Sequence, residues 1–344
     1  MSGKAARLQR RRLATRLAFF ALFVLAPPLD LFRLDLTRGH FVLFGWDWTL
    51  GLEPFLRGEI GAGEVTVNLL LRGLLPIVLV VGVFFWVSWR WGRLYCGWLC
   101  PHFSVVELIN GLMRRAGGRP SLWEREPLPQ ERPDGTRERR DRRWWWAVWP
   151  AVGGFAFLWA LVLLTYLMPP AEIYGGLLRG GLGRYETVFL AAATAVFTIE
   201  FALARHLFCR YGCAVGLFQS YVWMANRRAM VVGYDRTRAE ACADCLGHCE
   251  HVCPMRLKPR AIKRRMFACV QCARCIQACD ETRARHGDEG LLTWVRDACA
   301  LDVSWRDIGR PYVCTAPDCF LRHRDRLHGR AATWKNPSVS SGTG

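Results

Sequence analysis

The sequence predicts an α-helical integral membrane protein, with four transmembrane helices in two repeated hairpins that each end in Cys-x3-Cys. An α+β cysteine-rich domain is expected on its carboxy-terminal side. Three observations carry that expectation. Hydrophobic residues make up 52% of 344, with 16 Trp, and mean hydropathy lies above zero, which is high for a soluble chain. Apolar runs recur with basic residues bunched beside them. Fifteen cysteines fall largely into ordered groups. A net charge of +18 would point a soluble chain toward nucleic acid. Here membrane topology accounts for the basic residues, and no nucleic-acid partner is expected.

The first span is expected over about 13–28. Lys4, Arg7, Arg10, Arg11 and Arg12 precede it, Pro27-Pro28 stops it, and Arg16 is expected to snorkel back to the interface. Residues 29–65 are mixed and aromatic (Phe41, Phe44, Trp46, Trp48) and read as an interfacial loop on the outer face. The second span, 73–89, is free of charge between Arg72 and Arg90, and at about 1.5 Å per residue it just crosses a hydrocarbon core. A polar loop over 114–143 holds ten arginines. The third span, 147–168, follows the aromatic belt Trp144-Trp145-Trp146, and the fourth runs over 187–204. Four spans place the amino terminus, the Arg-rich loop and the cysteine-rich domain on one side. The positive-inside rule makes that side cytoplasmic, in a multi-pass protein of a bacterial inner membrane.

Two cysteine pairs sit just past the second and fourth spans: Cys96-Gly97-Trp98-Leu99-Cys100-Pro101-His102 and Cys209-Arg210-Tyr211-Gly212-Cys213-Ala214. An amphipathic run follows each, 103–113 and 215–224. Residues four apart share a helix face, and a repeat of this kind places its site between the halves. Cys96, Cys100, Cys209 and Cys213 are therefore expected to meet at the membrane boundary, as a catalytic metal centre holding copper or iron or as a dithiol relay. Glu200, in the last turn of the fourth span, is either functional, snorkelling or paired with Arg205. His102 is a candidate ligand or proton carrier.

The stretch 242–279 carries the clearest chemistry. It reads Cys242-x2-Cys245-x3-Cys249-x3-Cys253-Pro254, then fourteen residues, then Cys269-x2-Cys272-x2-Cys275-x3-Cys279. This is the spacing of a two-cluster bacterial ferredoxin, in which the fourth ligand of each run crosses to the other cluster. Cys242, Cys245, Cys249 and Cys279 are assigned to one [4Fe-4S] cluster, and Cys269, Cys272, Cys275 and Cys253 to the other. A zinc ribbon shares the Cys-x2-Cys pairs but has no need of a further cysteine after an x3 gap, twice over. Such thiolates belong on the reducing side of a membrane, in agreement with the charge pattern. The domains expected are a transmembrane part over 1–230, a ferredoxin over 231–295, and a cap with a disordered tail over 296–344. Cys299, Cys314 and Cys319, with His323 and His328, fall in the last of these and read as ordinary cap residues or a further metal site.

These residues resemble the membrane polyferredoxin family that contains the cytochrome oxidase accessory protein CcoG (FixG, RdxA), with NapH and NosR as relatives. The resemblance covers about 15–295. It rests on Phe44-Gly45, on Cys96-Gly97-Trp98-Leu99-Cys100-Pro101, on Phe208-Cys209-Arg210-Tyr211-Gly212-Cys213, and on 269–281 with Gly290-Leu291-Leu292 beyond. It implies a four- or five-helix anchor, two [4Fe-4S] clusters, and electron transfer between a quinol or cytosolic donor and a membrane or periplasmic acceptor. In the accessory-protein branch the implied task is copper reduction during assembly of a terminal oxidase. In the NapH and NosR branches it is feeding quinol electrons to a periplasmic reductase system. The chain departs in three ways: Ala214 rather than proline follows the second pair, the first cluster run is longer than the pattern by one residue, and the expected immunoglobulin-like carboxy-terminal domain does not follow. These bear on the copper-specific task, not on the redox class. A metal-binding assembly factor with structural clusters is the alternative from another class.

Purified anaerobically, the protein is expected to show broad visible absorption that dithionite bleaches, with about eight irons contributed by 242–279. A colourless protein holding one or two zinc ions would overturn the assignment.

Overall fold

The computed structural model describes residues 2–305 apart from Thr237 and Asp244. Cys314, Cys319, His323 and His328 lie outside the described residues. The chain opens with helix α1 (Ser2–Leu25), which ends just before Pro27-Pro28, where the backbone ladder cannot continue. Segment 29–65, expected as an irregular loop, instead contains a three-stranded antiparallel sheet of order β1 (Phe32–Asp35), β2 (His40–Leu43), β3 (Trp46–Trp48). Phe32 stands opposite Leu43, and Phe41 opposite Trp48. The turn after β1 is held by buried Asp35, which accepts from Arg33 Nη1 at 2.6 Å and from the Thr37 amide at 3.0 Å. That local carboxylate turn makes a hairpin of a stretch whose aromatic content alone suggested an interface.

Helix α2 (Ala62–Trp91) follows, with a π turn over Leu69–Leu74. Helix α3 (Pro101–Gly117) lies after it and buries Phe103, Val106, Ile109 and Met113 along one face. Helices α4 (Arg142–Leu167) and α5 (Arg184–Ala204) pack against each other. Helix α6 (Ala214–Ala225) packs on α2, with Phe218 against Phe84 and Phe85 at ring distances of 6.0 and 6.4 Å. The last described unit is small and α+β. Strand β4 (Val231–Tyr234) pairs antiparallel with β5 (Leu292–Val295), Val231 opposite Val295, and α7 (Arg274–Ala284) lies between them in the chain.

Among the described residues three helices are long and apolar enough to cross a membrane: α2, α4 and α5. The protein hides 0% of the apolar window of α2 and 11% of that of α5, an exposed hydrophobic area that lipid must cover. The chain is a membrane protein. Helix α1 does not meet the same measure, because Arg10, Arg11, Arg12 and Arg16 run into its body. Its carboxy-terminal half packs on α4, where Phe20 and Phe23 lie 5.6 and 5.2 Å from the Trp159 ring. The Tyr166 hydroxyl also donates to the Phe23 carbonyl at 3.0 Å.

Arg16 does not snorkel. It turns inward with Arg12 onto Glu107 of α3, where Arg12 Nη2 sits 2.8 Å from the carboxylate and Arg16 pairs with the same oxygen. Arg274, at the start of α7, reaches the other oxygen at 3.0 Å. Glu107 thus ties α1, α3 and the cysteine-rich unit at one point. Burial alone would raise its carboxyl, but the charges of Arg274, Arg12 and Arg16 prevail and hold it at about 2. One core runs through this junction, joining Phe103, Val106 and Ile109 of α3 to Trp159 of α4 and to Met255, Val270 and Cys272. A second core, under β4 and β5, gathers Trp223, Val231, Cys249, Met266, Cys275 and Leu292.

Glu107→Gln strands three buried or half-buried cations and is expected to cost about 3–5 kcal/mol, read as a lowered unfolding midpoint in detergent. Because the folded carboxyl titrates below its ordinary value near 4.5, its contribution is whole above that pH and is lost as pH falls toward 2. The variant is expected to lack this acid-sensitive component.

Candidate metal centres

The eight cysteines of 242–279 line two separate cavities. Cys242, Cys245, Cys249 and Cys279 line the first, with Tyr234, His248, Arg260 and Leu292. Cys253, Cys269, Cys272 and Cys275 line the second, with Val232, Met255, Leu257 and Met266. Cys253 and Cys279, each the fourth of its run, stand in the cavity of the opposite run.

Local backbone explains how so short a loop curls around a cavity. Gln271 and Ala273 both take left-handed conformations, φ 52° and 57°, so alternate residues of 269–275 reverse direction and the sulfurs turn inward. The conformation at Gln271 is secured by its own side chain. Nε2 donates to the Met230 carbonyl at 3.2 Å, and Oε1 accepts from Trp294 Nε1 at 3.1 Å. Backbone amides point at sulfur as well: Leu257 N at Cys253 Sγ, 3.4 Å, and Leu291 N at Cys279 Sγ, 3.2 Å. Burial pushes the thiols of Cys249 and Cys269 up to about 12 and those of Cys253 and Cys279 up to about 11. Buried thiols of this kind ionise only against strong positive charge, which bound iron supplies. The donor set, the apolar walls and the amide dipoles fit a cubic iron–sulfur cluster in each cavity.

The two Cys-x3-Cys pairs also converge, though not as one helical face each. Cys96 lies in the short helix Leu94–Trp98, and Cys100 is the cap residue of α3, with φ −53° and ψ 116°. Cys209 lies in the π turn Phe208–Gly212, and Cys213 is the cap residue of α6, with φ −74° and ψ 110°. A break between helical segments therefore separates the members of each pair, and the second of each sits at a helix start. Cys100 Sγ accepts from the Phe103 amide at 3.5 Å. The Cys100 thiol is pushed up to about 12, chiefly by burial and next by the neighbouring Cys96, with Cys213 adding to it. Burial dominates at Cys209 too, followed by Cys100 and Cys96. The four sulfurs are within electrostatic reach of one another. Among the described residues no three Cys, His, Asp or Glu side chains are spaced for a single metal ion.

This thiol set abuts the second cavity directly. Gly97 lies so close to the Val270 carbonyl that a Cβ would overlap the oxygen. Trp98 Nε1 donates to the Gln271 carbonyl at 3.0 Å, Arg12 Nε to the Gly97 carbonyl at 2.8 Å, and Gln9 Nε2 to the Cys272 carbonyl at 2.9 Å. Cys96, Cys209 and Cys272 belong to one core. Glu200 does not snorkel; its Oε1 faces His102 Nε2 at 3.3 Å, its charge also acts on buried Arg205, and the His102 ring stacks on Phe201 at 5.1 Å. Reading the sequence missed Arg93, three residues before Cys96 and fully buried, and Gln219, which donates to Cys96 Sγ at 3.5 Å. An arginine just past a membrane span reads as a topology signal, and only folding reveals its burial.

Comparison with known proteins agrees with this chemistry. A family model described as a 4Fe-4S binding domain matches residues 73–120 and 185–229, the segments that hold the two Cys-x3-Cys pairs. The chain is thus similar to ferredoxin-type iron–sulfur electron-transfer proteins of membranes. Among relatives, the methylamine utilization ferredoxin-type protein MauN of Methylorubrum extorquens is 28% identical over 302 residues, covering 85% of this chain and 86% of its own. Protein RdxA of Cereibacter sphaeroides is 29% identical, covering 65% of this chain and 48% of its own, and the ferredoxin-type protein NapH of Escherichia coli is 26% identical, covering 55% and 60%. The chain therefore spans most of MauN but about half of RdxA. No solved structure matches.

Gly97→Ala is expected to part the hairpin from the 269–275 loop. In metal-free protein, iodoacetamide should alkylate Cys272 faster than in wild type while Cys242 keeps its rate, as counted by mass spectrometry.

Proposed function

We propose that the protein is a membrane-anchored electron-transfer protein. Two [4Fe-4S] clusters, one on Cys242, Cys245, Cys249 and Cys279 and one on Cys269, Cys272, Cys275 and Cys253, exchange electrons with the Cys96/Cys100/Cys209/Cys213 set at the membrane boundary. The observation that carries this reading is the Gly97–Val270 seam, where the first Cys-x3-Cys touches the loop between Cys269 and Cys272 backbone to backbone. A cluster, when bound, supplies a one-electron carrier; the chain supplies a short, dry path of packed side chains and peptide groups between the two sulfur sets.

The charge pattern and the reducing chemistry of thiolates support a cytoplasmic place for the amino terminus and the ferredoxin domain, in a bacterial inner membrane. Contacts of α1 with α7 fit both on one side. For the outlet we favour reduction of a metal such as copper, on the strength of the boundary thiols. The second reading, oxidation of quinol to feed a partner reductase, draws on the His102–Glu200 pair, a proton acceptor beside the same thiols.

Cys96→Ser and Cys209→Ser are expected to abolish Cu(II) or quinol turnover while leaving the dithionite-bleachable absorption of the ferredoxin clusters in place. Unchanged turnover with lost copper binding would favour a metal-holding assembly factor instead.

A further inference from the structure

Arg93 is 0% exposed. Its Nη2 donates to the Cys209 carbonyl at 2.8 Å and lies 3.8 Å from Cys96 Sγ. Its Nε and Nη1 have no hydrogen-bond partner among the described residues. A guanidinium held this way, out of water and without a carboxylate, costs several kcal/mol unless a negative charge lies beside it. Two other buried charges nearby have close partners. Glu107 has its three arginines, and Lys263 Nζ donates to the carbonyls of Trp223 and Asn226 at 2.9 and 2.6 Å.

What surrounds Arg93 is sulfur. Cys96 is its neighbour, the Cys209 carbonyl accepts from it, and Cys100 and Cys213 lie within electrostatic reach of these two thiols. Gln219, 1% exposed, gives its amide to Cys96 and leaves Oε1 without a partner among the described residues. Gly216 has no room for a side chain because a Cβ would collide with the guanidinium. Its charge also acts on Cys269 of the second cavity, but protonated thiols or a pair of disulfides at the boundary would be neutral and leave Cys96, 3.8 Å away, without charge to meet the guanidinium. Four thiolates around iron retain net negative charge and compensate it. The 4Fe-4S model also falls on both of these segments.

We propose that Cys96, Cys100, Cys209 and Cys213 hold a third iron–sulfur cluster of net negative charge, with Arg93 as its buried counter-ion. Gln219 is a hydrogen-bond donor to it. The inference rests on the reading of these thiols as the membrane-side electron carrier and specifies what they bind. Arg93 is a positioning residue: its charge favours the reduced, more negative state and so raises the potential of this centre.

The test uses the full chain purified anaerobically in detergent, with iron and acid-labile sulfide counted and EPR-monitored redox titration. About twelve irons are expected, four for each of three clusters, falling to about eight in the Cys96→Ser/Cys209→Ser double variant. Arg93→Gln is expected to lower the midpoint of one EPR signal and leave the others in place, while Arg93→Lys stays near wild type. About eight irons in the wild type, or a double variant that loses none, overturns the third cluster. A signal unmoved by Arg93→Gln overturns the counter-ion. Should Arg93→Gln not accumulate, the wild-type iron count and a midpoint kept by Arg93→Lys decide. Eight irons with turnover that still needs Cys96 overturns the cluster but leaves the relay standing. Twelve irons with turnover indifferent to the cysteine variants overturns the relay and leaves the cluster.

Discussion

The junction at Glu107 is the constraint on which the arrangement of both sulfur systems depends. One carboxylate, buried on α3, answers Arg12 and Arg16 of α1 and Arg274 of the cysteine loop. A buried ion cluster is not a strong source of net stability, since desolvation offsets much of its attraction. Its value is geometric. Three cations that must each find the same two oxygens leave little freedom for α1 or for the loop to slide. The apolar core beneath, from Phe103 to Cys272, provides the bulk of the cohesion without specifying register.

Register matters because the two sulfur systems come from distant stretches of chain. The first Cys-x3-Cys lies near residue 100, the second near 210, and the loop at 269–275. They meet only if α3, α6 and the cysteine-rich unit are all seated. Gly97 is the point where the tolerance vanishes: two backbones approach with no side chain between them. Such proximity would shorten the electron path of the proposed relay and keep water out of it.

Much of this was legible in the chain. Absence of charge over 73–89 marks a membrane helix whatever surrounds it, and the observed α2 contains that run. Cysteine spacing likewise places each sulfur relative to its own cavity, including the crossing of Cys253 and Cys279. What was not legible depends on partners far away. Arg16 looks like a snorkelling residue until Glu107, 91 positions on, is folded against it. Glu200 looks bound for Arg205 alone until His102 comes to face it. The strands of 32–48 were hidden because their defining feature is a turn closed by Asp35, not an alternating pattern long enough to read. The two pairs looked like helical i, i+4 neighbours because spacing says nothing about a break between helical segments at Cys100 and Cys213.

The bond from Gln9 to the Cys272 carbonyl spans 263 positions of sequence. It joins α1 to the cysteine loop across every intervening span. Closing so long a loop carries an entropic cost that only completed intervening structure can reduce. Helix α1 can therefore grip the cysteine loop only after the spans between them have been made. The seam between anchor and cysteine-rich unit is thus a late contact, closed on structure that already exists.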